Sequence, residues 1–315
     1  MILCLGTTPA AQRVMVFRQL VLDAVNRATT TLDGAAGKSV NVAKVLKALG
    51  GQPLAIGFLG GDRGEFVRAT LEELGIEMDF VTITARTRQC ITVIDEAAGT
   101  HTELVEEGRR VKGAEVEKLL AIVGRRIRSC QAIVMSGTLA PGVPMDLYFR
   151  CTQRAHAAGA ISVLDAQGAP LLEALKAKPD LVKPNRAELA ATLGRALVSE
   201  ADVMSAMREF TAGGARQVVV TASREPVLAF DGRRYWRIRP PAIRALNPIG
   251  SGDAFTAALV WRLVRGDDLG EACRWACAAG VANAMTWMAG DVRRADVNRL
   301  AKMVRVETEI RRSKS

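Results

Sequence analysis

Short apolar runs alternate with helical segments along most of the chain. From residue 111 onward the order is regular: a helix to Arg128, a strand over Ala132–Met135, a helix to Ala157 and a strand over Ala160–Leu164. Strands that are apolar on both faces and separated by helices are typical of a parallel sheet with helices on both sides. The alternation therefore predicts an α/β fold around a buried parallel sheet.

No internal repeat, low-complexity tract or linker divides the 315 residues. We therefore expect a single domain over residues 1–303, and we expect residues 304–315 to form a basic tail that frays. Strand-like segments from Arg13 to Leu32 are predicted to leave the main body, and Arg88–Asp95 and Thr102–Val105 form a hairpin pattern around Ala97–Gly99.

Ligands of such sheets bind beyond the carboxyl ends of the strands. The residues that directly follow predicted strands are therefore the first to inspect. They are Ser136-Gly137, Asp165, Lys183-Pro184-Asn185, Thr221 and the loop after the first strand.

The segment Asn247-Pro248-Ile249-Gly250-Ser251-Gly252-Asp253 precedes an apolar run that has the length of a buried helix. Backbone amides of Gly250, Ser251 and Gly252 would lie at the positive end of the helix dipole, where an anion is stabilised. A carboxylate beside them would repel phosphate, so we interpret Asp253 as a general base that deprotonates an attacking hydroxyl. An ordinary capped helix after a tight turn is the alternative, since the motif is short.

The charge balance favours anionic partners. Lys and Arg number 43 against 33 Asp and Glu, a net charge of +10. Aromatic residues make up only 4% of the chain, and the basic residues are scattered. Single-strand nucleic-acid binders use aromatic stacking platforms. We therefore expect small anions, and neither nucleic acid nor a membrane, as partners.

Cysteine and histidine limit the chemistry further. The six cysteines contain no Cys-x-x-Cys pair and are interpreted as buried free thiols in a reducing compartment. His101 and His156 lack metal-ligand spacing, so a zinc site or histidine triad is not expected, and both are assigned to the solvated surface. No signal peptide is visible, and the apolar stretch Trp275–Gly290 is too short to span a bilayer, so a cytoplasmic protein is expected.

Three motifs occur together in one order: Gly37–Ala43, Lys183–Glu188 and Gly250–Asp253. With these motifs the chain resembles the ribokinase-like PfkB carbohydrate kinases over about Ile2 to Gly290. Within that family it is similar to the phosphosugar branch that contains 1-phosphofructokinase and tagatose-6-phosphate kinase.

The resemblance implies a ribokinase-like three-layer α/β/α sandwich with a small β-sheet lid, formed from about residues 11–33 and 86–106. The lid is often the dimer contact in this family, so a homodimer is expected. The implied activity is transfer of the γ-phosphoryl group of ATP, with Mg²⁺, to a hydroxyl of a ketohexose phosphate. Fructose 1-phosphate, fructose 6-phosphate and tagatose 6-phosphate are the implied acceptors.

The resemblance also implies residue roles. Asp253 would be the base, Gly250, Ser251 and Gly252 the anion hole, and Asn185 with Glu188 would organise Mg²⁺ and its water. The implied acceptor-binding residues are Gln12, Arg27, Gly37, Lys38, Asn41, Arg88, Ser136 and Thr138. The implied nucleotide-binding residues are Lys183, Asn185, Thr221, Ser223 and Asn283.

Two departures from the family pattern support a second hypothesis. In the family, the loop after the first strand ends in an aspartate that binds sugar hydroxyls. This chain has Gln12 at that position. The usual Gly-x-x-Gly nucleotide loop is Ser223-Arg224-Glu225-Pro226, and proline removes a backbone donor. The alternative is therefore a catalytically weakened family member that binds a sugar phosphate or nucleotide as a sensor. A nucleic-acid binder rests on charge alone.

Overall fold

The computed structural model describes residues 1–310. Within them the chain forms a large mixed sheet, a smaller separate sheet and helices on both faces of the large one. The strands are β1 Ile2–Gly6, β2 Ala10–Phe17, β3 Thr30–Ala36, β4 Pro53–Leu59, β5 Glu77–Met78, β6 Val81–Thr82, β7 Arg88–Asp95, β8 Thr100–Val105, β9 Ala132–Ser136, β10 Ile161–Asp165, β11 Leu181–Val182, β12 Gln217–Val220, β13 Val227–Phe230, β14 Arg234–Arg239 and β15 Arg305–Ile310. The helices are α1 Lys38–Ala48, α2 Gly61–Glu73, α3 Gly113–Arg126, α4 Leu147–Ala157, α5 Gly168–Leu175, α6 Arg186–Leu193, α7 Glu200–Ala212, α8 Ser251–Leu263, α9 Leu269–Ala284 and α10 Arg294–Ala301.

The large sheet has the order β15-β14-β13-β12-β11-β10-β9-β1-β4-β5, with β6 also paired to β4. Its strands from β12 to β5 are parallel, and β13, β14 and β15 extend it as antiparallel neighbours. In β1, Cys4 lies between Ala55 of β4 and Val134 of β9. The predicted α/β fold with a buried parallel sheet is confirmed.

Two apolar cores cover the faces of this sheet. One contains residues of α1, α2, α8, α9 and α10, and the other contains residues of α3 through α7. The packing of fully buried side chains such as Leu259 and Tyr148 removes apolar area from water on both faces. This accounts for the three layers.

The smaller sheet has the order β3-β2-β7-β8, and we call it the lid. It forms from the two segments that the family resemblance assigned to a lid. Val14, Val16 and Ile94 of the lid pack against Trp287 and Met288, which follow α9. The lid is therefore seated on the body by apolar contact as well as by the chain connections.

The carboxyl-terminal prediction is wrong for residues 305–310. This segment is β15 and pairs with β14, so it extends the large sheet rather than fraying. Glu307 forms ion pairs with Arg237 and Arg239 of β14. Charged cross-strand pairs stabilise such an edge, and their effect does not appear in a charge count along the sequence. The remaining tail, residues 311–315, lies outside the described residues.

Helix α5 was not assigned from the sequence, and it contains Pro170 in its first turn. Proline is tolerated in the first turn of a helix, where its missing N–H costs no hydrogen bond. All six cysteines are buried free thiols, as predicted. None of the helices within residues 1–310 combines the length and hydropathy that a membrane span requires.

Candidate active site

A cavity of about 340 Å³ lies at the carboxyl ends of the parallel strands, beneath the lid. Asp165 ends β10, Lys183 and Asn185 follow β11, and Thr221 follows β12. Helices α1 and α8 begin at the same edge. The cavity brings together twelve of the residues that were singled out from the sequence: Gln12, Gly37, Lys38, Asn41, Arg88, Lys183, Asn185, Glu188, Thr221, Gly250, Gly252 and Asp253.

The turn before α8 requires glycine at position 250. Gly250 has φ +83°, and a Cβ there would lie 2.7 Å from the Cβ of Ala289. Only glycine combines that dihedral angle with such a close approach. The amide of Ser251 donates to the carbonyl of Pro248 at 3.1 Å, which corrects the expectation of three available amides. Within residues 1–310, the amides of Gly250 and Gly252 make no hydrogen bond.

Asp253 lies in the first turn of α8 and is 7% exposed. Its Oδ2 accepts a hydrogen bond of 2.7 Å from Nδ2 of Asn41, in α1. Burial raises the pKa of Asp253 to about 7, against the opposing charge of Lys38 and with a further increase from Asp165. A carboxyl group whose pKa is near neutrality is suited to accept a proton at physiological pH.

Asp165 binds two lysines at the base of the cavity. Its Oδ2 lies 3.2 Å from Nζ of Lys183 and accepts from Oγ1 of Thr256 at 2.9 Å. Its Oδ1 accepts from Nζ of Lys38 at 3.1 Å. Burial disfavours the charged form, but the charges of Lys183 and Lys38 outweigh it and lower the pKa of Asp165 to about 2. Asp165 is therefore a permanent anion that positions both ammonium groups.

Lys38 lies between two carboxylates. Besides Asp165, its Nζ donates to Oε1 of Glu188 at 3.2 Å. Burial alone would lower the pKa of Lys38, but the charges of Asp165, Glu188 and Asp253 raise it overall. Lys38 therefore stays charged and lies beside Glu188.

Asn185 and Glu188 form a reciprocal cap at the start of α6. Oδ1 of Asn185 accepts from the amide of Glu188, and Oε2 of Glu188 accepts from the amide of Asn185, both at 2.8 Å. Within residues 1–310 there is no cluster of three His, Cys, Asp or Glu side chains that could hold a metal ion. Since Mg²⁺ keeps several water ligands and is held largely by substrate phosphates, the Glu188 carboxylate fits a water-mediated contact rather than a protein cage.

The lid contributes Gln12 and Arg88 to the cavity. Nε2 of Gln12 donates to Oγ1 of Thr92 at 2.7 Å. Nε of Arg88 donates to the carbonyl of Thr8 at 3.1 Å, and its Nη1 to that of Glu106 at 3.4 Å. Both acceptors are neutral carbonyls, so Arg88 brings its positive charge to the cavity without an ion pair to any other part of residues 1–310.

Six predicted site residues do not line this cavity: Arg27, Ser136, Thr138, Ser223, Ser251 and Asn283. Ser136 is buried, and its Oγ has no hydrogen-bond partner among the described residues. Thr138 lines a neighbouring open cavity of about 560 Å³. Ser223 lies in the turn between β12 and β13 with φ +47°. Arg27 is exposed in the loop between β2 and β3.

Asn283 of α9 forms hydrogen bonds that hold the turn before α8 in place. It is fully buried, its Nδ2 donates to the carbonyl of Ile249 at 2.9 Å, and its Oδ1 accepts from the amide of Gly290 at 2.8 Å. Its contacts therefore tie the backbone at the turn to the loop that follows α9.

Several cavity residues had no assigned role. Asp165 was noted only by its place after a strand, and its two lysine partners became visible only in the fold. Cys90, Glu103 and Val105 line the cavity from the lid. Their alternation along β7 and β8 is the signal that places them on one face, but it does not say which face is covered.

The surface assignment of both histidines is wrong. Nε2 of His101, on β8, lies 2.6 Å from the carbonyl oxygen of Leu246 in the body. Nε2 of His156 lies 3.1 Å from Oδ2 of Asp180. Both side chains are half-buried and take part in tertiary hydrogen bonds.

Comparison with known proteins shows the family to which the chain belongs. Residues 1–286 match the family described as pfkB family carbohydrate kinase. The chain is 29% identical to a tagatose-6-phosphate kinase of Staphylococcus epidermidis over 97% of this chain and 99% of that protein.

Solved structures share the fold. The structure of phosphofructokinase-2 from Escherichia coli in complex with fructose-6-phosphate has a TM-score of 0.85 and 26% identity, covering 96% of this chain and 97% of that one. Another structure of that enzyme is of a tetrameric inhibited form. A protein from Thermotoga maritima described as a possible 1-phosphofructokinase has a TM-score of 0.90 at 23% identity, covering 98% and 99%. The chain belongs to the pfkB family of carbohydrate kinases, phosphotransferases whose acceptor is an alcohol group.

Proposed function

We propose that the protein transfers the γ-phosphoryl group of ATP to a hydroxyl of a ketohexose phosphate, namely fructose 1-phosphate, fructose 6-phosphate or tagatose 6-phosphate. One observation carries the proposal: the buried Asp253 carboxylate lies beside the free amides of Gly250 and Gly252, in a cavity that also holds Arg88. The similarity to a tagatose-6-phosphate kinase and to a phosphofructokinase supports this acceptor class.

Asp253 acts as the base in this proposal. It takes the proton of the acceptor hydroxyl while that oxygen attacks the phosphorus, and the raised pKa of Asp253 suits the task at neutral pH. Asn41 donates to Oδ2 of Asp253 and so orients the carboxylate. The other oxygen is then directed to the hydroxyl.

The amides of Gly250 and Gly252 bind the migrating phosphoryl group. They lie at the first turn of α8, where the helix dipole favours negative charge. The Lys183 ammonium lies next to Gly252, 3.8 Å from the position that a Cβ would take, and adds a full positive charge. These donors stabilise the charge that the phosphoryl group carries in the transition state.

ATP would approach along Lys183, Asn185 and Thr221. Mg²⁺, when bound with the nucleotide, neutralises phosphate charge. Glu188 would contact that ion through water, and Lys38 keeps the Glu188 carboxylate in place. Ser223 lies outside the cavity, so its predicted nucleotide contact depends on the turn between β12 and β13 moving toward the ligand.

Arg88 binds the phosphate that the acceptor already carries. A guanidinium is permanently charged and can bind phosphate with two parallel hydrogen bonds. Gln12, Gly37 and Asn41 would contact the sugar. Thr138 and Ser136 lie at the neighbouring strand end, and a direct contact with the acceptor is assigned to neither.

A homodimer through the lid is part of the proposal. The loop between β2 and β3 exposes Val21, Leu22 and Val25 by 50%, 86% and 84%. A second subunit would remove these apolar side chains from water. Arg27 is in the same loop, so its predicted contact with the acceptor phosphate depends on that assembly.

The second candidate function is a family member with weak transfer that acts as a sensor. The observation that favours it is the turn Ser223–Pro226, in which Ser223 has φ +47° and Pro226 offers no amide to a nucleotide. Such a protein would bind ATP or a sugar phosphate without turnover.

A coupled assay of ADP formation separates the two functions. The purified protein is given MgATP with each of the three ketohexose phosphates, the unphosphorylated sugars and nucleosides. The kinase proposal expects ADP formation with at least one ketohexose phosphate and its loss in Asp253→Asn. Binding of sugar phosphate or ATP by calorimetry without ADP formation would instead establish the sensor.

A further inference from the structure

Glu103 lies on the face of β8 that is directed toward the cavity. Residues alternate between the two faces of a strand. Glu103 and Val105 line the cavity, while Leu104 between them does not. The Glu103 carboxylate therefore lies in the same cavity as Arg88, the residue proposed to bind the acceptor phosphate.

The Glu103 carboxylate has no partner among the residues that the structure describes. Three other lid carboxylates are engaged: Asp33 by Arg13, Asp95 by the amides of Ala97 and Ala98, and Glu106 by Arg63. Glu103 makes no hydrogen bond or ion pair with any other part of residues 1–310. Its charge and its lone pairs are available to a ligand.

The positive charge of Arg88 acts on Glu103, but the two side chains do not form an ion pair. The Arg88 charge lowers the pKa of Glu103, against the larger increase that burial causes. The Arg88 guanidinium donates instead to the carbonyls of Thr8 and Glu106. The lid thus presents a cation and an anion to one cavity as separate groups.

Gln12 places a neutral side chain near Glu103 at the lid side of the cavity. The Gln12 side chain is neutral, and its Nε2 is occupied by Thr92. Thr92 lies directly opposite Glu103 in the β7–β8 pairing. Glu103 therefore lies on β8, next to the position on β7 where Gln12 bonds Thr92. A carboxylate accepts hydrogen bonds from hydroxyl groups more strongly than a neutral amide oxygen does.

We propose that Glu103 is a specificity-determining residue that accepts hydrogen bonds from one or two neighbouring hydroxyls of the acceptor whose phosphate is bound by Arg88. The ligand class is a phosphate monoester that carries adjacent hydroxyl groups. This inference rests on the acceptor site of the proposed function, but it concerns binding and does not require turnover.

The test compares Glu103→Ala with Glu107→Ala. Glu107 is also exposed, lies four residues along the same segment and does not line the cavity, so the second variant removes the same charge away from the site. Titration calorimetry without nucleotide measures the binding of fructose 1-phosphate, fructose 6-phosphate and tagatose 6-phosphate. The compound that the unmodified protein binds best is then replaced by analogues that each lack one hydroxyl.

We expect Glu103→Ala to weaken binding roughly 10- to 100-fold, the loss typical of a charged hydrogen bond. Glu107→Ala should bind like the unmodified protein. One deoxy analogue should lose a similar factor with the unmodified protein and almost nothing further with Glu103→Ala. Thermal unfolding verifies that each variant is folded, and Glu103→Gln replaces Glu103→Ala if the alanine variant is not.

The outcomes distinguish the two proposals. Equal binding by Glu103→Ala and Glu107→Ala overturns the role of Glu103, even if the protein forms ADP. An equal loss with every analogue also overturns it, because the effect would not depend on a hydroxyl. Hydroxyl-dependent binding without ADP formation supports Glu103 and overturns the kinase activity. If none of the three sugar phosphates binds, both proposals fail.

Discussion

Nε2 of His101 lies 2.6 Å from the carbonyl oxygen of Leu246, and this hydrogen bond joins the lid to the segment that leads into Gly250. A carbonyl can only accept, so Nε2 carries the hydrogen. The next residue, Asn247, is buried and donates to the carbonyl of Trp287 at 2.7 Å. Since Trp287 also packs under the lid, the lid contacts the same segment by two routes.

We expect His101→Ala to loosen this segment and to lower kcat more than it raises the KM for ATP. The loss of one hydrogen bond of about 1 kcal/mol corresponds to roughly a fivefold effect. Hydrogen exchange of residues 244–250 should become faster in this variant. His101→Gln, which can place an amide donor near the same carbonyl, is the control and should recover most of the loss. Unchanged exchange and unchanged kcat in His101→Ala would show that the lid contact has no effect on the site.

Asp253→Asn is expected to remove turnover while leaving acceptor binding within a few-fold. General bases contribute about 10²–10⁴-fold to rate, and this contribution is made in the transition state. Steady-state kinetics with MgATP and the best acceptor, together with calorimetry for binding, measures both quantities. A variant that keeps its kcat would reject the assignment of the base. A variant that binds no acceptor would point to a role in binding instead.

The pH dependence of kcat/KM should report Asp253. A base is active when deprotonated, and the pKa of Asp253 is raised to about 7. The rate should therefore fall about tenfold for each pH unit below that value and level off above it. The measurement is a profile from about pH 5.5 to 8.5 at saturating MgATP. A profile without a step near neutrality would mean that proton removal by Asp253 does not control the rate.

Asp165→Asn should destabilise the protein strongly. The Asp165 carboxylate is buried against Lys183 and Lys38, and removing one partner of a buried ion pair costs about 3–5 kcal/mol because charge is left uncompensated. Asp33→Asn is the matched control. It breaks the exposed pair with Arg13, and such surface pairs contribute about 0–1 kcal/mol. Urea unfolding of the three proteins compares their free energies of unfolding.

The ion pairs of Asp165 with Lys183 and Lys38 also predict how the free energy of unfolding depends on pH. The pKa of Asp165 is lowered from 3.8 to about 2, so its contribution is fully present above the higher value and is lost as the pH falls toward the lower one. The unmodified protein should therefore lose more stability than Asp165→Asn does over that interval. If the free energies of unfolding of the unmodified protein and of Asp165→Asn fell in parallel as the pH is lowered, this prediction would be wrong.

The sequence was most informative where local pattern and fold agree. The alternation of strands and helices predicted the parallel sheet. Because ligands of such sheets bind at the carboxyl ends of the strands, the residues after predicted strands included Asp165, Lys183 and Thr221. Contacts between distant segments were not predictable. The hydrogen bond of His101 to Leu246 spans 145 positions, and the side-chain pattern of β8 does not reveal which face the body covers. Likewise, β15 became a strand because β14 offered it a free edge.

That last strand also has a consequence for biosynthesis. Until β15 has been synthesised and has left the ribosome, β14 lacks this neighbour, and its backbone donors and acceptors on that side remain open to other chains. Nascent or shortened polypeptides that end before Arg305 would thus expose an unpaired strand edge through which they could associate.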